Sequence, residues 1–319
     1  MPEQTKSILG IDVGGTKTAL VEGVPDGSIL SRVEYPTNAT ESGVDKLKML
    51  CAELKQIRRG AIEAGREPVA ISVSIGGPLK IDQGVLYDPP HLPGWHNLDL
   101  PREIGRHIAD LPVFVEHDGN AGALAEFYFG VGKQFPGLRH LVFLTFGTGL
   151  GAGLIVNGAL LRGASDTAGE VGHWRLADSG PYGFGKHGSW EGFASGRGLV
   201  HLAAERFPGR WKPDTEIRSL VGEMLAGDPE ALHVARESGE WMGRGIALLV
   251  DALNPEVVAL GSLGRVLGDL IIQPARQVVD AEALPQAAAA VKIVPAVLGS
   301  EIGDVASIMA ALVGLKLIA

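Results

Sequence analysis

Residues 8–17 read ILGIDVGGTK and residues 144–153 read LTFGTGLGAG, and these two stretches decide the fold. In each, a short apolar run enters a glycine turn and a second apolar run follows it. Such a pattern predicts two strands joined by a tight turn. Because the arrangement occurs twice, it also indicates an internal duplication. The chain has 45 glycines, and their excess lies in these turns, so we interpret the glycines as positional.

The first turn follows Asp12 and contains Gly14, Gly15, Thr16 and Lys17. Glycines let the backbone approach phosphate oxygens and turn its amides towards them. A carboxylate at the strand end can hold a hydrated magnesium ion, which prefers few carboxylates, several waters and substrate phosphates. Taken alone, a tight hairpin turn without a ligand explains this stretch equally well.

The second turn, 147–151, superficially resembles a dinucleotide-binding fingerprint. That fingerprint requires a helix after the glycines, whereas Ala152–Val156 has the composition of a strand. The Walker A ending of Lys followed by Ser or Thr is also missing. We therefore interpret this stretch as a hairpin that contacts phosphate.

Apolar periodicity predicts the remaining elements. We expect antiparallel strands near 18–24 and 29–35, a helix over 42–64, a strand over 69–75, a helix over 100–109 and a strand over 113–116. A helix begins at 118. Beyond about residue 195 the pattern is mainly helical, with strands at 257–260 and 291–294 and a final helix near 301–317.

Composition excludes several classes of protein. The formal net charge of −9 is unfavourable for binding nucleic acid or an anionic membrane, which attract basic surfaces. No apolar run approaches the roughly 20 residues that span a bilayer, and the N-terminus has no secretory signal pattern. The single cysteine, Cys51, excludes an internal disulfide and fits a reducing compartment. We expect a cytoplasmic protein with small-molecule ligands.

Five motifs in this order resemble the ROK family (repressors, open reading frames and kinases) of the sugar kinase, Hsp70 and actin superfamily: Ile8–Lys17, Glu116–Glu126, Leu144–Gly153, Gly169–His173 and Gly185–Gly196. The resemblance implies an α/β, two-lobed actin-like ATPase (ribonuclease H-like) fold with an active-site cleft between the lobes. It implies a small lobe of residues 1–118 plus 304–319 and a large lobe of 119–303. It further implies ATP, Mg²⁺, a sugar substrate and a homodimer.

The resemblance also assigns roles to residues. It makes Asp118 the general base that accepts the proton of the sugar hydroxyl, although an Asp opening a helix also suits an N-cap. The implied substrate-binding residues are Gly77, His117, Asp118, Glu170, His173 and Glu191. The implied ATP-binding residues are Asp12 (through water-mediated magnesium), Gly14, Gly15, Thr16, Lys17, Gly147, Thr148, Gly149, Gly261 and Ser262.

One departure from the family concerns zinc. Many members carry C-x-C-G-x-x-G-C-x-E, in which thiolates and a histidine form a closed zinc site. Here the cysteine positions hold Tyr182, Phe184 and Ser189, so we predict that zinc is not bound. His173 then needs another orienting partner, and we expect aromatic packing by Tyr182, Phe184 and Trp190 to supply it. We expect His187 to be a loop residue.

A second departure is His117, because the family usually has Asn before the catalytic Asp. Glucose is the default substrate, and mannose, fructose or an amino sugar remain open. The same family contains sugar-responsive repressors with a DNA-binding segment before the first glycine turn. Since only seven residues precede Ile8, we do not expect that function, and a non-catalytic sugar sensor is a further alternative. The loop of Pro93, Gly94 and Trp95, with Asn97, resembles a sugar-proximal loop but equally an ordinary turn.

Overall fold

A computed structural model describes residues 4–37, 42–89, 92 and 94–318. The strands, numbered in chain order, are β1 (Lys6–Val13), β2 (Lys17–Gly23), β3 (Ile29–Pro36), β4 (Glu67–Ile75), β5 (Leu79–Lys80), β6 (Val85–Leu86), β7 (Leu98–Asp99), β8 (Val113–His117), β9 (Leu141–Leu144), β10 (Ala152–Val156), β11 (Ala159–Leu160), β12 (Tyr182–Gly183), β13 (Lys186–His187), β14 (Val257–Leu260) and β15 (Lys292–Pro295). The helices are α1 (Gly43–Glu63), α2 (Leu100–Gly105), α3 (Asp118–Tyr128), α4 (Val131–Gln134), α5 (Trp190–Phe193), α6 (Gly196–Arg206), α7 (Ile217–Leu225), α8 (Pro229–Leu253), α9 (Leu263–Leu267), α10 (Asp269–Glu282), α11 (Pro285–Ala290) and α12 (Ile302–Gly314).

The chain packs as two compact units. The first comprises Met1–Phe129, Gly163–Thr167 and Ser300–Ala319, and the second comprises Gly130–Arg162 and Ala168–Gly299. This packing groups α3 with the first unit. The lobe boundaries expected from the family resemblance, at residues 118 and 304, stay a prediction.

The first unit contains a five-stranded sheet in the order β3-β2-β1-β4-β8. The strands β1, β2 and β3 pair antiparallel, whereas β1, β4 and β8 run parallel. Parallel strands end at the same edge of a sheet, so the residues that follow β1, β4 and β8 share one edge. This parallel pairing therefore brings the first glycine turn, Gly76 and Asp118 to that edge.

Alternation along β1 gives the first sheet two different faces. Leu9, Ile11 and Val13 point to a core that includes α1, where Leu50 and Cys51 are fully buried. Gly10 points to the other face, where a Cβ would lie 2.6 Å from Val21 and would also collide with Ser307 of α12. The helix α12 can lie this close to the sheet because residue 10 has no side chain.

The second unit repeats the arrangement of the first. Its sheet has the order β11-β10-β9-β14-β15, with β9, β10 and β11 antiparallel and β9, β14 and β15 parallel. Both sheets therefore have the same order and the same senses of pairing, as the internal duplication predicts. The helices α8 and α10 pack together through Gly239 and Gly243 of α8, which face Pro274 and Ala275.

The strands and long helices expected from the sequence are confirmed, with differences at their ends. The helix expected over 100–109 is shorter and ends at Gly105, because the chain turns there and buries Ile108 in the core. The final helix ends at Gly314 and follows a 3₁₀ turn, Gly299–Glu301. In the described ranges no helix combines the length and apolar character needed to cross a membrane.

Substitution of Gly10 by Ala tests the close packing of α12. We expect Gly10→Ala to lower the free energy of unfolding by roughly 1–3 kcal/mol, because the added methyl group overpacks the contact with Val21 and Ser307. The matched control is Gly60→Ala, at an exposed position of α1 where nothing lies within 4 Å. This control should stabilise the protein by about 0.5–1 kcal/mol. Equal denaturant curves for the two variants would contradict the packing described here.

Candidate active site

The first glycine turn is closed by its own backbone. The N–H of Gly14 donates to Lys17 O at 2.9 Å, and the N–H of Thr37 donates to Thr16 O at 2.8 Å. Gly15, Thr16 and Lys17 are exposed. The structure therefore presents the predicted phosphate-contacting residues at the surface of the turn between β1 and β2.

Asp12 lies at the end of β1, against the first turn of α12. Its Oδ2 atom would be 2.6 Å from a Cβ on Gly303. Burial, followed by the negative charge of Asp118, raises the pKa of Asp12 to about 7, with a smaller contribution from Asp304; a hydrogen bond with Ser74 opposes the shift. Such a carboxylate is favourably placed to accept a cation, so the site fits the hydrated magnesium expected there.

Asp118 is the first residue of α3 and is about half exposed. Its Oδ1 atom accepts the N–H of Gly119 at 2.7 Å. A Cβ on Gly76 would approach Asp118 Oδ2 to 3.0 Å, so the absent side chain at position 76 leaves room at the carboxylate. Gly76 is the glycine against Asp118, whereas a Cβ on Gly77, which we expect beside the sugar, would meet Pro89; the contact of Gly77 with sugar stays a prediction.

The N-cap of α3 is His117, which corrects the alternative reading of Asp118 as the cap. Its Nδ1 atom accepts the N–H of Gly119 at 3.3 Å and lies 3.3 Å from Asp118 Oδ1. The substitution of histidine for the family's usual asparagine therefore retains a side-chain acceptor at the helix start.

A buried polar pair below Asp118 was missed by sequence reasoning. Glu116 Oε1 accepts hydrogen bonds from the His117 N–H and from Asn120 Nδ2, both at 3.0 Å. Both side chains are buried, and the pair joins the end of β8 to the first turn of α3. A carboxylate and an amide four residues apart across a strand–helix junction are the signal that could have identified it.

The second glycine turn is held from several sides. The N–H of Gly147 donates to Gly149 O at 3.1 Å, the N–H of Gly196 donates to Gly147 O at 2.7 Å, and the N–H of Gly151 donates to Thr145 Oγ1 at 3.0 Å. Thr148 is exposed at its tip. These bonds preorganise the turn, which is what a phosphate-binding backbone requires.

The turn after β14 lies beside the second glycine turn. Ser262 Oγ would be 3.6 Å from a Cβ on Gly147, and the N–H of Leu263 donates to Phe146 O at 2.8 Å. Ser262 has φ +41°, a backbone conformation uncommon for a residue with a side chain and frequent at functional sites. Within the second unit, the structure thus brings together the predicted residues 147–149 and 261–262.

The predicted sugar-binding residues of this unit also lie along the second glycine turn. Glu191, in α5, accepts the Leu150 N–H on Oε2 at 3.0 Å, and the same oxygen would be 2.7 Å from a Cβ on Gly149. Gly169 is paired with the strand end, since its carbonyl accepts the N–H of Ala152 at 2.8 Å. Glu170 follows it directly and is exposed, as is His173 at the end of the 3₁₀ turn 171–173.

One of the three aromatic residues expected to orient His173 does so. The Phe184 ring centroid lies 3.8 Å from that of His173. Tyr182 instead contacts His187, and Trp190 stacks on Trp174. Phe184 lies at the tip of the β12–β13 hairpin, where its backbone has φ +51°, and a role of Tyr182 or Trp190 in orienting His173 stays a prediction.

The hairpin is tied by polar contacts as well. Lys186 Nζ donates to His173 O at 2.7 Å. Ser189 occupies a position at which many family members carry cysteine. It is buried, its hydroxyl donates to Gly183 O at 2.9 Å, and it caps α5. His187 belongs to β13 rather than to a loop, and its Nδ1 pairs with Gly180 O at 2.8 Å. Within the described ranges, no group of three or more His, Cys, Asp or Glu is arranged to hold a metal, and the expectation of no zinc stays a prediction.

The loop that resembles a sugar-proximal segment is described only in part. Pro93 lies outside the described residues. Trp95 is buried in the core of the first unit, and Asn97 adopts φ +48° with its N–H donating to Tyr87 O at 2.7 Å. These contacts are those of a turn, and a role in sugar binding stays a prediction.

Comparison with known proteins gives one consistent family. A model described as "ROK family" matches residues 8–313. A glucokinase of Streptomyces coelicolor is 32% identical over 283 residues, 84% of this chain and 86% of the relative. A ROK family glucokinase from Streptomyces griseus, solved with glucose and AMPPNP, superposes with a TM-score of 0.76 at 30% identity, covering 96% and 98% of the two chains. A xylose repressor of Caldicellulosiruptor bescii is 31% identical over 86% of this chain and 70% of its own length.

The mixed sheets, their repeated order and these structural neighbours define an actin-like ATPase fold. The chain belongs to the ROK family.

Replacement of Asp12 by Asn should reveal the cost of its burial. The pKa of Asp12 is raised from 3.8 to about 7 in the folded protein. Between these two pH values the folded protein keeps a proton that the unfolded chain has already released. The carboxyl group therefore destabilises the fold progressively as pH rises from 3.8 to about 7, and it stays unfavourable at higher pH. We expect Asp12→Asn to raise Tm by roughly 2–4 °C at about pH 8 and by less at about pH 5, measured with a chelator and without nucleotide. If Asp12→Asn had a lower Tm than the wild type at about pH 8, the burial argument would be contradicted.

Phe184 offers a direct test of how His173 is held. Phe184→Asn removes the ring while retaining a residue that tolerates the left-handed backbone, and Phe184→Tyr keeps the ring. We expect the His173 ring protons to lose their upfield ring-current shift in the first variant and to keep it in the second, as measured by NMR. An unchanged His173 spectrum in Phe184→Asn would show that the two rings do not contact each other in solution.

Proposed function

We propose that this chain is an ATP-dependent hexokinase-type phosphotransferase, with the 6-hydroxyl of glucose as the first candidate acceptor. The observation that carries the proposal is that Asp12 and Asp118 share the carboxyl edge of the first sheet. The strand β4 separates them, and its Ser74 pairs in register with Asp12 on one side and with Glu116 on the other. Two strand spacings, about 10 Å, lie between Asp12 and Glu116, and Asp118 follows Glu116 by two residues. An acceptor-side carboxylate and a phosphate-side carboxylate at one sheet edge suit phosphoryl transfer, which depends on positioning and on charge stabilisation.

Asp118 is the general base of this proposal. Its carboxylate accepts the proton of the sugar hydroxyl while that oxygen forms a bond to the γ-phosphorus and the bond to the β-phosphate oxygen breaks, releasing ADP. The Gly119 N–H holds one carboxylate oxygen. Gly76 leaves the other oxygen uncovered on its side, so that a hydroxyl can approach it.

The remaining residues bind and orient. The glycine-turn amides of 14–16 and 147–149 would contact phosphates. Asp12 would hold magnesium through water, and that ion would supply positive charge that neutralises the phosphates. Glu170, His173 and Glu191 bind sugar hydroxyls, with Phe184 orienting His173. The glucokinase relatives favour glucose, while mannose, fructose and an amino sugar are alternatives that His117 makes worth testing. A cytoplasmic homodimer is also part of the proposal, and light scattering would measure its mass.

The kinase assignment is tested by coupled ADP release over a panel of hexoses and amino sugars. We expect Asp118→Asn, which keeps an acceptor for Gly119, to lower kcat by roughly 10²–10⁴ because the base is lost. The control is Asp110→Asn, at an exposed aspartate paired with Arg58, which should match wild type.

The repressor relative defines the competing outcome. Sugar binding without formation of sugar phosphate, with either ATP or polyphosphate as donor, would favour a non-catalytic sensor over a kinase. Full turnover in Asp118→Asn would remove this residue from the role of base.

A further inference from the structure

A line of charged side chains crosses the first unit from the glycine turn to α12. Lys17 Nζ pairs with Glu34 Oε1 at 2.7 Å, Glu34 Oε2 with Arg32 Nη2 at 2.6 Å, and Arg32 Nε with Asp304 Oδ2 at 2.7 Å. The last pair joins residues 272 positions apart in the chain. The line thus connects a predicted phosphate ligand with the first turn of the C-terminal helix.

The register of the sheet explains why these groups meet. Gly10, Val21 and Arg32 form one row across β1, β2 and β3. The small residue at position 10 lets α12 settle over this row, which brings Asp304 to the guanidinium of Arg32 on the edge strand. Asp304 consequently has a side chain that is only 13% exposed.

The next row of paired residues across β1, β2 and β3 ends at Glu34, the second carboxylate that pairs with Arg32. Asp12, Ala19 and Glu34 are paired in register. Asp304 acts electrostatically on Asp12, and Glu34 neutralises part of the Lys17 charge. Both carboxylates that Arg32 holds are therefore neighbours of predicted nucleotide-binding groups.

We propose that Arg32 is a positioning residue for nucleotide binding. Its guanidinium forms ion pairs with Asp304, which lies beside Asp12, and with Glu34, which lies beside Lys17. Arg32 thereby neutralises two carboxylates that would otherwise repel the phosphates. This inference rests on the proposed function. Arg32 is itself 43% exposed, and ion pairs of exposed groups add little to stability, so we expect the effect of Arg32 to appear in nucleotide affinity. Removing its charge leaves Glu34 and Asp304 without this partner and makes the potential at an anionic Mg·ATP more negative.

The test compares Arg32→Gln with Arg32→Lys, with the double variant Arg32→Gln/Asp304→Asn, and with Arg58→Gln, which breaks a separate ion pair of the same unit. Calorimetry gives Kd for Mg·ADP, and steady-state kinetics give KM for Mg·ATP and for sugar. We expect Arg32→Gln to raise both nucleotide constants by roughly threefold to tenfold, with kcat and the sugar KM within about twofold. The effect should shrink at an ionic strength of about 0.5 M.

Three of the variants serve as controls. Arg32→Lys and Arg58→Gln should bind nucleotide as wild type does, and the double variant should recover most of the loss because the uncompensated carboxylate at 304 is gone. Asp304→Asn alone, with Arg32 intact, should bind Mg·ADP at least as tightly as wild type; this variant keeps the inference testable if Arg32→Gln does not fold.

The inference would be overturned by any one of three results. These are weaker nucleotide binding in Asp304→Asn, an unchanged Kd for Mg·ADP in Arg32→Gln, and a double variant that does not recover nucleotide affinity. These failures differ from failure of the proposed function. A wild type that binds Mg·ADP but phosphorylates no sugar refutes the kinase and leaves the Kd comparison valid, whereas a wild type that binds no nucleotide refutes both.

Discussion

The contact between α12 and β1 is the constraint on which the candidate site residues of the first unit depend. The helix reaches the strand because Gly10 lacks a side chain, and Gly303 then rests against the carboxylate of Asp12. A side chain at either position would lift the helix and expose that carboxylate. Close packing therefore produces the burial that raises the pKa of Asp12, and it makes the residue unfavourable in the ligand-free protein while suiting it to a cation.

The two sheets share the same strand order and the same placement of glycine at their strand ends. In each unit the first strand of the sheet enters a glycine turn, and the parallel strand beside it ends in another glycine, Gly76 after β4 and Gly261 after β14. Parallel pairing places both ends at one edge, where backbone can approach a ligand without interference from side chains. The second unit adds Glu191, whose carboxylate fastens its glycine turn through the Leu150 N–H.

The sequence was sufficient for features that rest on local pattern. Strands, glycine turns and the start of α3 follow from apolar runs and glycine spacing, whereas the sugar-binding roles that the family motifs give to Glu191 and His173 stay predictions. Contacts that depend on tertiary packing were not accessible. Neither the Arg32–Asp304 pair nor the Glu116–Asn120 pair has a periodic signature, and the left-handed backbone at Phe184, a non-glycine residue, has none either.

The buried position of Cys51 has a practical consequence. This thiol is fully buried in the core under α1, and burial raises its pKa to about 11, so it is almost entirely in the unreactive protonated form at neutral pH. Since the chain has one cysteine, thiols introduced on the surface of each unit would be the sites that maleimide dyes modify. Such labels could then be attached to the otherwise native sequence without first removing a reactive thiol.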